Sequence, residues 1–245
     1  LFISVIRSEF PTVSLLRTRY PVVTPGERSG ILPGLSSPPV QVELRHARPS
    51  TWVDLSEISQ PAMWAVIVSE DWAFFSHKGY DTSQIREAIQ YDLSRGSFAR
   101  GASTLTQQVV RNVFLSKEKS LWRKAKELIL AVRLERAVGK KRILETYFNI
   151  VEWGPGVYGI GRACEYYFGK KPAELTPREG AFLAMLLPSP VRYSQSFRQR
   201  SLTEYAQKTM ETILDKMVQA NVLSPEQAEA AKTERMSFEL PMSSN

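Results

Sequence analysis

At 245 residues and 43% hydrophobic content, the chain can bury one substantial core, and its length predicts a single folded unit or one with an insertion. Its 32 Lys and Arg exceed its 25 Asp and Glu, giving a formal net charge of +7, so the surface attracts polyanions: nucleic acid, acidic lipid headgroups or pyrophosphates, among which charge alone does not choose. Cys164 is the single cysteine, which excludes an intrachain disulfide and any CxxC metal or redox centre.

The first stretch with apolar character, "LFISVIRSEFPTVSLLRTRY", is interrupted by Arg7, Glu9, Arg17 and Arg19, so it contains no uninterrupted bilayer-spanning run. The chain starts at Leu1, and "LFISVI" is expected to be the outer end of a helix whose remainder lies upstream. From Pro21 to Pro49 the composition is rich in Pro, Gly and Ser, that of a linker or an extended edge. The expected organisation is therefore an N-terminal membrane-proximal segment and linker over residues 1–50 and a compact domain over 51–245.

Helix signals then follow closely. Pro61 opens "PAMWAVIVSE", whose Met63, Trp64, Val66, Ile67 and Val68 are expected to be buried, with Phe74 and Phe75 in the core beyond it. Asp81 caps "TSQIREAIQYDL" with Gln84 at the third helical position. In "SLWRKAKELILAVRLERAV" apolar residues recur at Leu121, Ala125, Leu128 and Val132, which predicts that face as the buried one. "TPRE" places Thr176 as cap, Pro177 first and Glu179 third, and "SPEQ" repeats the device at Ser224, Pro225 and Gln227. Strand patterns are scarce, no long repeat recurs and no glycine fingerprint follows a strand, which argues against solenoid and dinucleotide-binding architectures. The fold class is mainly α.

Four segments carry candidate chemistry. Glu70 ends an apolar helix; a carboxylate beside an apolar wall and the negative end of a helix dipole is suited to general acid or base work, against the alternative of a solvated helix terminus. His77 nearby is read as a structural donor. In "RGASTLTQQVVRN", a helix from Thr104 puts Thr104, Gln108 and Arg111 or Asn112 on one face, able to hold a sugar or phosphate, or else forms a polar helix start with ordinary caps. "WRKAKE" flanks Glu127 with Arg123 and Lys124, which in isolation reads as an exposed ion pair. "KKRILETYFN" sets Lys141, Glu145 and Asn149 on one face and Ile143 and Tyr147 on another, the pattern of an amphipathic helix. Between them, "NVFLSKEKSLWRK" interleaves Val113, Phe114, Leu115, Leu121 and Trp122 with cations, as an interfacial segment does, although a partner groove would look similar. Ser116 and Lys119 form an SxxK pattern, but no KTG follows it.

Taken in order, these segments resemble the family 51 glycosyltransferases, the peptidoglycan glycosyltransferase module of class A penicillin-binding proteins and of monofunctional transglycosylases. Glu70, Asp71, Phe74, His77, Gly79 and Asp81 fit EDxxFxxHxGxD, "GASTLTQQ" fits the second motif, "RKAKE" fits RKxxE, and "KKRILETYFN" fits KxxILExYxN with Lys140 as its lysine. The likeness continues through "GVYGIGRACEYYFGK" and "LTPREGAFLAMLLPSPVRY". Ala73 departs from the basic residue that relatives often carry before the phenylalanine.

The resemblance implies a lysozyme-like helical head with a smaller membrane-associated jaw over about residues 86–122. It implies polymerisation of lipid II into β-1,4-linked glycan strands, with inversion and release of undecaprenyl pyrophosphate, at the extracytoplasmic face of the bacterial cytoplasmic membrane, with an anchoring helix upstream. Glu70 would be the general base. Glu127 would be a second essential carboxylate that orients the pyrophosphate contacts, holds a divalent cation (Mg or Mn) or assists departure. Arg111, Arg123, Lys124 and Lys140 would clamp the pyrophosphate, and Ser103, Thr104, Gln107, Gln108 and Asn112 would line the donor side. Asp71, Phe74, His77, Glu145, Tyr147 and Asn149 are grouped with the substrate-binding residues, Glu145 and Tyr147 also as supports for the fold of the cleft. No organic cofactor is implied; the expected partners are lipid II, the growing glycan, membrane lipids and cell wall synthesis proteins, not nucleic acid. Two rivals stand beside this reading. A lysozyme-like glycan hydrolase also uses two carboxylates, but its uncharged leaving group needs no cationic clamp. A non-catalytic basic helical protein would instead show salt-sensitive binding to nucleic acid or membrane.

Overall fold

Several helices begin where the chain supplies a side-chain oxygen followed three residues later by Gln or Glu. In the computed structural model, which describes residues 10–26, 40–83, 85, 86, 90, 103–116 and 120–239, Thr104 and Gln107 form such a capping box at the start of one helix, Thr176 and Glu179 at a second, and Ser224 and Gln227 at a third. Asp81 accepts from the Ser83 N–H at 2.8 Å, as its position predicts, whereas Gln84 lies outside the described residues. The elements in chain order are β1 (Tyr20–Pro25), β2 (Val40–Arg45), α1 (Gln60–Glu70), α2 (Leu105–Phe114), α3 (Leu121–Val138), α4 (Lys140–Ile150), β3 (Glu152–Gly154), β4 (Val157–Tyr158), α5 (Ile160–Phe168), α6 (Pro177–Leu186), α7 (Pro190–Tyr193), α8 (Gln195–Arg198), α9 (Glu204–Gln219) and α10 (Pro225–Thr233). The class is mainly α.

The chain divides into two compact units: Leu1–Val22, Val42–Arg48 and Ala73–Tyr147 form the first, and Val23–Gln41, Pro49–Trp72 and Phe148–Asn245 the second. In the second unit α1, α6 and α9 pack on one another. Every residue of α6 from Arg178 to Leu186 is buried, which makes it the central helix of that unit. It approaches α1 closely because Gly180 carries no side chain: a Cβ there would lie 2.5 Å from the Ala62 Cα. Arg178 is buried at the start of α6 and donates to the carbonyls of Ala231 and Lys232 and to the Gln207 side chain, so its charge meets orphan acceptors at the end of α10. Tyr167 packs edge-on to Phe182 and Phe197 beside the β3–β4 antiparallel pair, in which Glu152 faces Tyr158. Cys164 is fully buried, and burial first and the Glu179 carboxylate second push its thiol up to about 12.

In the first unit α2 lies against α3, and a single helical turn, Val13–Arg17, docks on α3 with Val13 and Leu16 buried. Gly139, at φ +85°, caps α3, and α4 starts at the next residue. Arg142 of α4 reaches back to the carbonyls of Leu16 and Arg19 while pairing with Glu145, and its guanidinium lies 4.5 Å from the Tyr20 ring centre. Regular structure is therefore present ahead of the expected boundary near Thr51. Residues 13–25 and 40–45 are ordered, and β1 pairs with β2, because their apolar and backbone groups find partners that a Pro- and Gly-rich composition does not reveal. Most of residues 86–102 and residues 117–119 lie outside the described residues, so the expected jaw is described only at its α2 side and at the start of α3.

Three burial expectations differ from the structure. In α1, Ala62, Ala65, Val66, Ile67 and Val68 are buried, while Met63 and Trp64 are half-buried. Phe74 is fully buried, but Phe75 is half exposed, packed edge-on against Phe74. In α3 the buried stripe is Glu127, Leu130, Ala131 and Leu134; Leu121 is 92% exposed, Ala125 is exposed, and Leu128 and Val132 are half-buried. Hydrophobic periodicity chose the wrong face because the inner face is headed by a carboxylate.

The Gly180 contact gives a direct test of the core. Gly180→Ala forces a methyl into α1 backbone, and we expect it to lower the unfolding free energy by about 1–3 kcal/mol, read as a lower urea midpoint with an unchanged m-value.

Candidate active site

Glu127 is the most deeply buried acid among the described residues of the first unit. It projects from α3 with only 1% of its side chain exposed, and it is held by two cations from its own helix: Arg123 at 2.9 Å, one turn away, and Lys124 at 2.5 Å. Lys124, whose side chain is 45% exposed, also donates to the Ser103 hydroxyl at 2.8 Å, joining "RKAKE" to "GASTLTQQ". The exposed ion pair that spacing alone favours is thus a buried carboxylate with a solvent-facing cation and a hydroxyl beside it. Two cations on one carboxylate leave this group with a net positive charge, suited to a further anion.

The second motif divides between capping and site. Thr104 is buried; its hydroxyl accepts from the Gln107 N–H and donates to the Gly79 carbonyl at 2.9 Å. Gln107 is buried too, and its side chain accepts from the Thr104 N–H. These two residues, read as donor-side ligands, are engaged in starting α2 and tying it to the loop at Gly79. Gln108, Arg111 and Asn112 are half-buried on α2, and Gln108 accepts from the Tyr147 hydroxyl at 3.3 Å.

The fourth motif is largely a brace. Glu145 holds Arg142 at 2.6 Å, and Tyr147 is fully buried against α2 through Gln108. In the second unit, Asn149 brackets the Val53 peptide, accepting from its N–H and donating to its carbonyl, both at 2.8 Å. Glu145, Tyr147 and Asn149, grouped with substrate residues on the motif, thus make scaffold contacts here.

Around the first motif, Lys140 from α4 lies 2.5 Å from Glu135, 3.3 Å from His77 Nδ1 and 4.4 Å from the Phe74 ring centre. Thr106 donates to the same Glu135 oxygen at 2.7 Å. Sequence reading did not single out Glu135; the signal available was its place five residues before Lys140, next to the buried Leu134. Gly79 needs its glycine: φ is +100° and a Cβ would sit 2.8 Å from α3 backbone at Ala131 and Val132.

Glu70 is the last residue of α1 in the second unit and is half-buried; Asp71 caps the helix, buried, with its N–H on the Ile67 carbonyl at 2.9 Å. The helix body behind Glu70 is apolar, as expected.

Among the described residues the acids do not gather into a site for a protein-held divalent cation. Both Glu127 oxygens are already engaged by Arg123 and Lys124. Among the described residues no group of three His, Cys, Asp or Glu side chains converges in a way that would hold a metal ion.

Removing the Glu127 charge leaves Arg123 and Lys124 facing a neutral amide, a loss softened by the exposure of Lys124. We expect Glu127→Gln to cost about 1–3 kcal/mol, measured by urea unfolding; an unchanged midpoint would show that the pair adds nothing to stability.

Known proteins are similar to this chain. A biosynthetic peptidoglycan transglycosylase of Paraburkholderia xenovorans is 45% identical over 145 residues, 59% of this chain and 60% of the relative. One from Azoarcus sp. is 38% identical over 191 residues, 78% of this chain and 80% of the relative. The chain spans 60% of the length of several such relatives, that of Nitrosomonas eutropha among them. Penicillin-binding protein 1A from Haemophilus influenzae aligns with 77% of this chain and 19% of its own at 18% identity, with a TM-score of 0.42. The sequence profile described as Transglycosylase matches residues 39–218, more than half of the chain, with "EDWAFFSHKGYD", "GASTLTQQ", "RKAKE" and "KKRILETYFN" all inside it, and the chain belongs to the transglycosylase family.

Proposed function

We propose that this chain is a peptidoglycan glycosyltransferase that polymerises lipid II into β-1,4-linked glycan in bacterial cell wall synthesis. The observation that carries the reading is the Glu127 group: a buried carboxylate under two cations, one of them solvent-facing and bonded to Ser103. A leaving pyrophosphate needs its charge offset as the anomeric bond breaks, and fixed cations do this without reorganising. Family membership and the printed names of the relatives support the same reaction.

In this proposal Glu70 takes the proton from the acceptor sugar hydroxyl as that oxygen attacks the donor's anomeric carbon. The bond to the pyrophosphate oxygen breaks on the opposite face, giving inversion. Lys124, Arg123 and Arg111 receive the departing diphosphate, and Ser103, Gln108 and Asn112 hold the donor. Lys140 has its ammonium on Glu135, His77 and the Phe74 ring, so we assign it to holding the first motif rather than to the diphosphate. Any divalent cation would arrive with the diphosphate as part of the substrate.

Glu70→Gln should keep the fold and lower polymerisation of labelled lipid II at least about a hundredfold, read as loss of the glycan ladder on a gel. A full ladder from the variant would move the base elsewhere. Shortening of preformed glycan by the wild type, with no ladder, would favour the hydrolase.

The reaction is placed at the outer face of the cytoplasmic membrane, where lipid II presents its headgroup. Support comes from the start of α3: Leu121 and Trp122 are exposed at 92% and 55%, Lys126 lies 5.3 Å from the Trp122 ring centre, and Phe10 meets that ring edge-on. Among the described residues no helix is long and apolar enough to cross a membrane. Leu121→Ser with Trp122→Ser should weaken partitioning onto anionic liposomes about tenfold; unchanged partitioning would remove α3 from the membrane contact.

A further inference from the structure

Glu135 has no place in the motifs that carry the functional reading, yet it is the centre of a polar cluster of Thr106, Lys140 and His77 in the first unit. Its side chain is 8% exposed, and one of its oxygens receives the Thr106 hydroxyl at 2.7 Å and the Lys140 ammonium at 2.5 Å. His77, 7% exposed, has its Nδ1 only 3.6 Å from that oxygen. Nδ1 accepts the Gly79 N–H at 3.1 Å and so faces the carboxylate as a second acceptor. Two acceptors at this distance repel unless a donor lies between them. Lys140 supplies it, at 2.5 Å from the carboxylate and 3.3 Å from Nδ1, and presents the rest of its charge to the Phe74 ring at 4.4 Å. An ammonium has three donors, and these three groups account for them.

We propose that Glu135 is a positioning residue: its carboxylate fixes the Lys140 ammonium between His77 and Phe74 and so sets the shape of the loop 74–79. The loop is pinned elsewhere by the Thr104 hydroxyl on the Gly79 carbonyl and by the close approach of Gly79 to α3. Neither of those contacts involves the Phe74 or His77 side chain, whereas Lys140, held by Glu135, touches both. Charge is essential to the arrangement. A neutral amide at position 135 keeps the volume but loosens the ammonium, and with it both ring contacts. The consequence for turnover rests on the glycosyltransferase reading, whereas the geometry of the cluster does not.

The test compares wild type, Glu135→Gln, Lys140→Met and the double variant, all carrying His46→Gln so that His77 is the one remaining histidine. Polymerisation of labelled lipid II gives kcat and KM, and long-range nitrogen–proton spectra of the labelled imidazole report Nδ1 directly. We expect each single variant to lower kcat about tenfold with KM little changed, and the double variant to be no worse than the worse single. The His77 Nδ1 resonance should move in Lys140→Met, which removes the ammonium between them, as well as in Glu135→Gln, whose carboxylate lies 3.6 Å away. Glu135→Asp, which keeps the charge, should recover part of kcat and guards against a Gln variant that folds poorly. Wild-type kcat in folded Glu135→Gln, an unmoved Nδ1 resonance, or multiplicative losses in the double variant would each overturn the proposal. If the wild type makes no polymer, the functional reading fails, and the imidazole spectra alone decide whether Glu135 holds Lys140 on His77.

Discussion

The first unit is arranged around a carboxylate on the inner face of a helix. Glu127 heads the buried stripe of α3, and placing it there requires both Arg123 and Lys124 within one turn to offset its desolvation. That requirement fixes the rotation of α3. Leu130, Ala131 and Leu134 follow inward at helical spacing, and Leu121 and Trp122 are turned outward. A helix rotated to bury its most apolar stripe would leave Glu127 and its cations in water, where the pair is worth little. The outward apolar residues at the start of α3 and the inward charge at Glu127 are two results of one choice.

The motif residues divide into groups that reach outward and groups that hold the chain in place. Lys124 is partly exposed beside Ser103, while Thr104 and Gln107 satisfy each other's backbone donors, Asn149 satisfies both polar groups of one peptide, and Glu145 secures an arginine that ties down the N-terminal turn. Buried polar side chains of this kind are costly unless their partners are in place, so they specify the local backbone strongly. A motif in such a family is therefore as much a record of how loops are fastened as of what touches substrate.

The basic surplus has a comparable division. Arg17, Arg142 and Arg178 all donate to backbone carbonyls, at the end of α3, around the first helical turn and at the end of α10 respectively. They act as caps and braces rather than as a field for polyanions. The cations at the start of α3 combine exposure with neighbouring hydroxyl and aromatic groups. Net charge by itself did not separate these uses.

The sequence alone determined the helical class and the helix starts at Thr104, Thr176 and Ser224, because capping is local: the cap and its partner lie three residues apart and need no other part of the chain. It also located the segments with chemistry, since an acid flanked by cations or a cluster of hydroxyls is visible as a string. The tertiary structure decided which face of α3 is inside, that residues 13–20 meet α3 and α4, and that Glu135, from outside the motifs, joins His77, Thr106 and Lys140. Those outcomes depend on partners far apart in sequence. A hydropathy pattern assigns every glutamate to solvent, and only the fold brings the groups that make a buried one stable.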